Sequence, residues 1–424
     1  MRAMAPLHDL FATHVPALRA ERTELLEQHG KRVISHVTAA QAAGGMRDVR
    51  ALICDTSVVD PDRGLLIRGI PVLELVSLFP EDVFFLLLLG RTPATPEAEA
   101  LRETIARSPR VPDYAWRVVE AFPRDAHPMT VLSAALAAMD HESAFARAFK
   151  AGVSRDEYWQ ATLDDALALL GALPELAAGI YRTLYGKGPR IAPDTSLDRA
   201  ADYGRMLGIS DPLFAKAMRR AAVLQSDHEG GNVAAFTCHT VGSVLSSAHL
   251  ALAAGFNGLA GPLHGRSAEE STQWVLGAVA RHGGTPSAAE IVDYTWDTLR
   301  AGRVVPGHGH AVLRGADPRF TAMLDFGREH FAADPVFATV ARMSTVVPEV
   351  LKKHGKAKNP YPNVDFGMGA VWHHFGITEL PYYTVPFAIS LASGMLAQLV
   401  LNRALGSAIV RPRSVTSDWI RSQS

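Results

Sequence analysis

Residues 384–405 read TVPFAISLASGMLAQLVLNRAL, apolar almost all round and studded with Ala388, Ser390, Ala392, Ser393, Gly394 and Ala397. A helix with no polar face belongs inside a large protein, and small residues let neighbouring helices approach closely. Gly406 follows where a left-handed residue would close such a helix. Outward from this segment the period stays helical. In residues 155–170, Trp159, Leu163, Ala166, Leu167 and Leu170 share one face, with Asp164 and Asp165 off it. Residues 213–224, 240–254, 268–281 and 335–351 read the same way. Strand signals are confined to short pieces at 51–54 and 64–69. The pattern predicts an all-α protein with glycine-rich loops, and lacks the strand–helix alternation of a parallel sheet.

A length of 424 residues implies two domains or one large two-lobed unit. Hydrophobic residues at 48% and charged residues at 20% fit a globular chain with a generous core. Lys+Arg 42 against Asp+Glu 43 leaves a net charge of -1, so nucleic acid and anionic membrane are not expected partners. Cys54 and Cys238 are too few for a disulfide framework, which points to a reducing compartment. The longest apolar run, residues 83–89, is far below the ~20 residues needed to span a bilayer. Asp9, Glu21, Glu24 and Glu27 make the N-terminal region unlike an acid-poor transit peptide. On these grounds a cytoplasmic location is expected. The 17 histidines are the unusual count, and the loops decide what they mean.

Four loops combine glycine, histidine and charge. In SDHEGGN (226–232), Asp227 and Glu229 flank His228 and could hold it protonated or fix its orientation; a plain polar turn is the alternative. In NGLAGPLHG (257–265), His264 precedes Ser267-Ala-Glu-Glu270, which reads as a capping box. A helix start opposes a second positive charge, so His264 should stay neutral and able to donate to a developing oxyanion. In VVPGHGHAVLRGADPR (304–319), His308 and His310 alternate with glycine ahead of Arg314 and Arg319. No ordered ligand set accompanies this pair, so an anion cradle fits better than a metal site. The run 352–365, KKHGKAKNPYPNVD, ends on Asp365, the carboxylate best placed as a base. Its lysines form either a solvated face or the mouth of a phosphate-binding pocket. A carboxylate, histidines in glycine loops and several arginines together suit proton abstraction beside a carbonyl on an anionic substrate.

These motifs, with YYTV and LAQL..NRALG..IVRP, occur in the order and approximate spacing of citrate synthase, and the sequence resembles that family's longer, mitochondrial type from about His8 to Asp418. The resemblance implies an all-α, two-domain fold: a large helical domain (1–265 and 370–424) and a smaller mobile helical domain (266–369). It implies condensation of acetyl-CoA with oxaloacetate and hydrolysis to citrate and CoA, with no cofactor beyond the substrate and no metal. The catalytic roles fall on His264, His310 and Asp365. Keto-acid binding falls on His228, His310, Arg319 and Arg411, the last contributed across a homodimer interface. CoA contacts fall on Arg47, Arg155 and Arg314.

The sequence departs from the family pattern in two places. A keto-acid-binding arginine expected after YYTV is Leu391, and Phe366-Gly367-Met368 follow the catalytic aspartate where Ala-His-Ser is usual. A paralogue using another acyl-CoA or 2-oxo acid, such as a 2-methylcitrate or alkylcitrate synthase, is therefore the alternative, with Phe366 and Met368 reshaping the acyl pocket. A non-catalytic CoA-binding relative is a further one.

Overall fold

The computed structural model describes residues 6–108, 110–310 and 312–423. It is 63% helix and 3% strand. Three short antiparallel strands, Ser57–Asp60, Gly64–Ile67 and Ile70–Pro71, make one small sheet in which Val58 pairs with Leu66. The strand expected at 51–54 does not form; pairing starts only at Ser57.

Helix starts follow a recurrent local rule. Asp211-Pro212, Asp317-Pro318 and Asp334-Pro335 each place an aspartate at the N-cap and proline in the first turn. The carboxylate accepts from the backbone two residues on, while proline supplies no N–H that needs a partner. Where the period continued unbroken across residues 240–254, the chain instead makes two helices, Val233–Ser243 and Ala248–Leu259. Leu245 turns into the left-handed region at φ 66 and Ser247 caps the second helix by accepting from the Leu250 N–H. Local capping chemistry thus overrides apolar spacing there.

The Thr384–Ala404 helix is buried along nearly its whole length and packs against the Tyr158–Leu184, Pro80–Leu89 and Val233–Ser243 helices. It is part of the one segment among the described residues, Leu380–Ala404, that is long and apolar enough to cross a membrane, and protein covers 94% of that segment's most apolar window. Gly394 explains the small-residue pattern. Its N–H donates to the Ser226 carbonyl at 2.8 Å, and a Cβ there would lie 2.3 Å from an Asp227 carboxylate oxygen. The central helix therefore presses on the loop that carries His228.

A second packing group joins the Ser267–His282, Ala288–Arg300, Pro318–His330, Pro335–His354 and Val364–His374 helices. Thr384 Oγ1 donates to the Gly265 carbonyl at 3.0 Å, tying the chain just before this group to the chain just after it.

Candidate active site

The loop from residue 304 to 317 is zipped to the segment preceding Asp365. His308 and Pro362 form an antiparallel bridge, the Gly309 N–H donates to Tyr361 O and the Asn363 N–H to Gly307 O, both at 2.9 Å. Asn359 Nδ2 donates to Leu313 O at 2.7 Å. These bonds make His310 and Asp365 members of one rigid unit. Gly307 is required in it: φ is +69, and a Cβ would meet the Phe366 ring at 2.8 Å.

His310 Nδ1 accepts from two backbone N–H groups, Val312 and Leu313, each at 3.0 Å. The ring proton is thereby assigned to Nε2, which becomes a donor. Burial, then the Arg319 guanidinium, hold the imidazole below its usual pKa, so it is neutral near pH 7. The His228 ring lies 5.9 Å from that of His310. Burial, with Arg319 and His310 adding repulsion, pushes His228 down to about 3. The flanking carboxylates do not hold His228 protonated, contrary to one reading of the loop. Asp227 turns away to accept from Thr56 Oγ1 (2.6 Å), Ser57 Oγ (2.9 Å) and Gln398 Nε2 (2.8 Å). Glu229 accepts from the Val59 N–H at 2.7 Å. They fix the loop and leave the ring neutral.

Asp365 is the second residue of the Val364–His374 helix, its N–H donating to the Asn363 cap. Burial pushes its carboxyl up to about 6, while Arg319 and a hydrogen bond from the Ser267 hydroxyl pull the other way. The capping box expected at Ser267 is absent. Arg266 occupies the N-cap without a side-chain bond, Glu269 pairs with Arg266 at 3.1 Å, and Ser267 is free to face Asp365. His264 sits three residues earlier. Burial lowers its pKa, as the neutral reading required, and its Nε2 is buried with no partner. A neutral ring with one uncommitted buried nitrogen can receive a substrate oxygen.

Arg319 completes the cluster. Its charge acts on His228, His310 and Asp365, and Asp317 clamps it from beneath. Arg314 lies on the same loop, its Nη1 donating to Val312 O at 2.6 Å. The other three arginines lie elsewhere. Arg47 is exposed on a loop, Arg155 Nη2 donates to Gly406 O at 2.9 Å, and Arg411 is exposed on the C-terminal segment. Among the described residues no hydrogen bond or ion pair joins these three to the histidine cluster. No group of three or more His, Cys, Asp or Glu side chains among them is arranged to hold a metal ion.

A family model described as citrate synthase, C-terminal domain, matches residues 45–413. The chain belongs to the citrate synthase family. It is 42% identical over 422 residues to the mitochondrial citrate synthase of Saccharomyces cerevisiae, covering 97% of this chain and 88% of the yeast protein. It is 40% identical to mitochondrial citrate synthase 4 of Arabidopsis thaliana, over 96% of this chain and 88% of that one. The crystal structure of the citrate synthase from Pyrobaculum aerophilum superposes with a TM-score of 0.77 at 28% identity, over 88% of this chain and 92% of that one.

These relatives overturn the expected cytoplasmic location, because the similar citrate synthases from yeast and plant are mitochondrial. The acidic residues that prompted that expectation lie in the Pro6–His29 helix, which packs on the folded body through Leu7, Phe11 and Val15. They report on a helix surface and carry no address.

Phe366, Met368 and Leu391 sit in packed surroundings. Phe366 is fully buried against His308 (ring centroids 4.6 Å apart), Phe320 and Trp274, and Met368 is buried as well. Their bulk fills space between packed helices. Leu391 is 1% exposed and lies three and seven residues before Gly394 and Gln398, so it shares the stripe that faces the His228 loop. Sequence reasoning missed Ser267, Asp317 and the Thr56–Ser57 support of Asp227. The Asp-Pro-Arg order at 317–319 was a usable sign for Asp317; nothing near residue 56 in sequence foretold the other contact.

Proposed function

We propose that this chain catalyses the citrate synthase reaction: acetyl-CoA condenses with oxaloacetate, and the citryl thioester is hydrolysed to citrate and CoA. The observation that carries the reading is a neutral His310 offering Nε2–H and an Asp365 whose carboxyl is raised to about 6, both under the charge of one Arg319. Asp365 takes a proton from the acetyl methyl group. His264 donates to the thioester oxygen as it gains enolate character. The enol carbon attacks the ketone, whose oxygen receives the His310 Nε2 proton; water then returns a proton to His310 as it cleaves the thioester, and the CoA thiolate leaves with the proton held by Asp365.

Three groups are needed because a carboxylate is a far weaker base than a thioester carbanion. Each unit of pKa mismatch costs about 1.4 kcal/mol, so charge must be stabilised at the oxygen as the proton leaves. Neutral imidazoles suit this, since they donate without drawing the negative substrate into an unproductive ion pair. His228 and Arg319 bind the keto acid. Arg47, Arg155 and Arg314 bind CoA, and the reaction uses no further cofactor.

Arg411 acts from the partner subunit of a homodimer. Its exposed position, apart from its own histidine cluster, supports that division. Residues 266–369 form the smaller domain, closing on the keto acid. The test is a thiol-release assay with oxaloacetate and acetyl-CoA, then propionyl- and longer acyl-CoAs. Fastest turnover with the acetyl–oxaloacetate pair is expected; turnover confined to another pair would reject this assignment.

A further inference from the structure

The Ser267–His282 helix starts without a side-chain cap: Arg266 holds the N-cap position and makes no capping bond. Ser267, the first helical residue, turns its hydroxyl to the Asp365 carboxylate instead. One turn later Ser271 Oγ donates to the Asp365 carbonyl oxygen at 3.2 Å. Residues four apart share a helix face, so one face meets both the side chain and the backbone of Asp365. Close helix packing allows this, since a Cβ at Gly369 would overlap Thr272 Oγ1.

Ser267 is pinned from the other side as well. The Gly265 N–H donates to Leu259 O at 2.9 Å, and Thr384 Oγ1 donates to Gly265 O at 3.0 Å. A Cβ on Gly265 would lie 2.8 Å from Thr384 Cγ2, so the segment cannot shift there. His264 and Ser267 therefore leave one fixed turn, the first carrying the oxyanion donor and the second reaching the base.

Among the described residues the charges acting on Asp365 are Arg319 and Asp317, which pull in opposite directions and are clamped together at 2.8 Å. Arg266 and Glu269, at the start of the facing helix, pair with each other at 3.1 Å. His264 and His310 are kept neutral by burial. A charge acting through space leaves a carboxylate free to rotate, whereas a hydrogen bond to one oxygen sets its orientation.

We propose that Ser267 is a positioning residue for the base: its hydroxyl holds one Asp365 oxygen and leaves the other aimed at the acetyl methyl group. The inference rests on the reaction assigned above. A donor to the ionised form also stabilises that form, so Ser267 keeps Asp365 deprotonated further into the acid range. Ser267 exchanges no proton in the step; the methyl proton passes to Asp365 alone.

The test compares pH–rate profiles from pH 5 to 9 for the wild type, Ser267→Ala, Ser267→Thr and Ser271→Ala. Ser267→Ala should displace the acid limb of kcat/KM upward by about one pH unit, the effect of one hydrogen bond to a charged group. Loss of orientation should also lower kcat about tenfold at pH 8.5, with the KM for oxaloacetate unchanged. Ser267→Thr retains the hydroxyl and should restore the wild-type limb. Ser271→Ala should lower kcat at every pH and leave the limb in place. The same displacement should appear without turnover in the infrared carbonyl band of protonated Asp365, identified by its absence in Asp365→Asn. Wild-type turnover of acetyl-CoA and oxaloacetate with an unmoved limb in Ser267→Ala would overturn the positioning role and leave the reaction standing. An equal displacement in Ser271→Ala would overturn it too, because the backbone would then set the carboxylate. No wild-type turnover with any acyl-CoA would overturn the reaction and this role together.

Discussion

Asp317 holds Arg319 in a fork: its Oδ2 lies 2.8 Å from Nη2 and 3.2 Å from Nε, and both side chains are almost wholly buried. Burial alone would raise the Asp317 carboxyl, but the guanidinium carries it below its ordinary value. Asp317 also accepts from the Val364 N–H at 3.2 Å, directly before Asp365. One carboxylate thereby sets the position of Arg319, the proposed keto-acid ligand, and of the helix that carries Asp365. Asp317→Asn should destabilise the chain by about 3–5 kcal/mol, because Arg319 is left charged and unpaired. The double variant Asp317→Asn/Arg319→Met should recover much of that loss in urea unfolding. Simple additivity of the two losses would show that the pair is not coupled.

Asp365 makes activity and stability respond oppositely to pH. Its folded pKa of about 6 lies above the ordinary 3.8, so the native state holds its proton more tightly than the unfolded chain does. Ionisation at pH 7 therefore costs stability, by about 3 kcal/mol at roughly 1.4 kcal/mol per unit. That cost disappears as pH falls through 6 towards 4, while the base form needed for catalysis is lost. kcat/KM should fall tenfold per unit below pH 6. Asp365→Asn should lose about 10²–10⁴ in kcat yet unfold at higher urea than the wild type at pH 7. A less stable Asn variant would contradict the stored cost.

His228 has the reverse sign. The folded ring resists protonation to about 3, whereas the unfolded chain takes up the proton near the ordinary 6.5. Stability attributable to this residue is intact above 6.5 and declines below it, by about 1.4 kcal/mol per unit. At pH 5 the loss reaches about 2 kcal/mol. His228→Gln should abolish that part of the acid dependence in urea midpoints measured from pH 7.5 to 5. An unchanged slope would mean that the ring accepts its proton in the folded state.

The legible and illegible parts of this chain separate by the range of the interactions. The 384–405 helix was readable because burial on all sides forces apolar composition, and His264, His310 and Asp365 because their glycine- and proline-rich settings are local. The break at 244–247 was missed because serine capping competes with periodicity on equal terms. The neutral state of His228 was invisible for another reason. Asp227 finds its partners at Thr56 and Ser57, some 170 residues away, so the adjacent charge never reaches the ring.

Leu391 offers a direct test of the keto-acid pocket. It shares a helix stripe with Gly394 and Gln398, both of which touch the Asp227 side of the His228 loop. Leu391→Arg should add a cation to that stripe and lower the KM for oxaloacetate about tenfold, the effect of one charge-assisted hydrogen bond. Thermal unfolding of the variant separates this gain from the penalty of burying a guanidinium. A folded variant with unchanged or higher KM would show that the pocket is already complete without an arginine there.

The proposal that Arg411 serves the partner subunit's site predicts complementation between two inactive variants. On that proposal, His310→Gln removes the ketone donor from its own chain, and Arg411→Gln removes the cation lent to the partner. Each homodimer then has two defective sites. In a mixed dimer one site carries both defects, but the other combines native His310 with the partner's native Arg411. Random reassortment makes about half the dimers mixed, so activity should recover to about a quarter of the wild-type value after mixing, denaturing and refolding. If Arg411 instead served its own chain, every site in the mixture would retain one defect, and no recovery would appear.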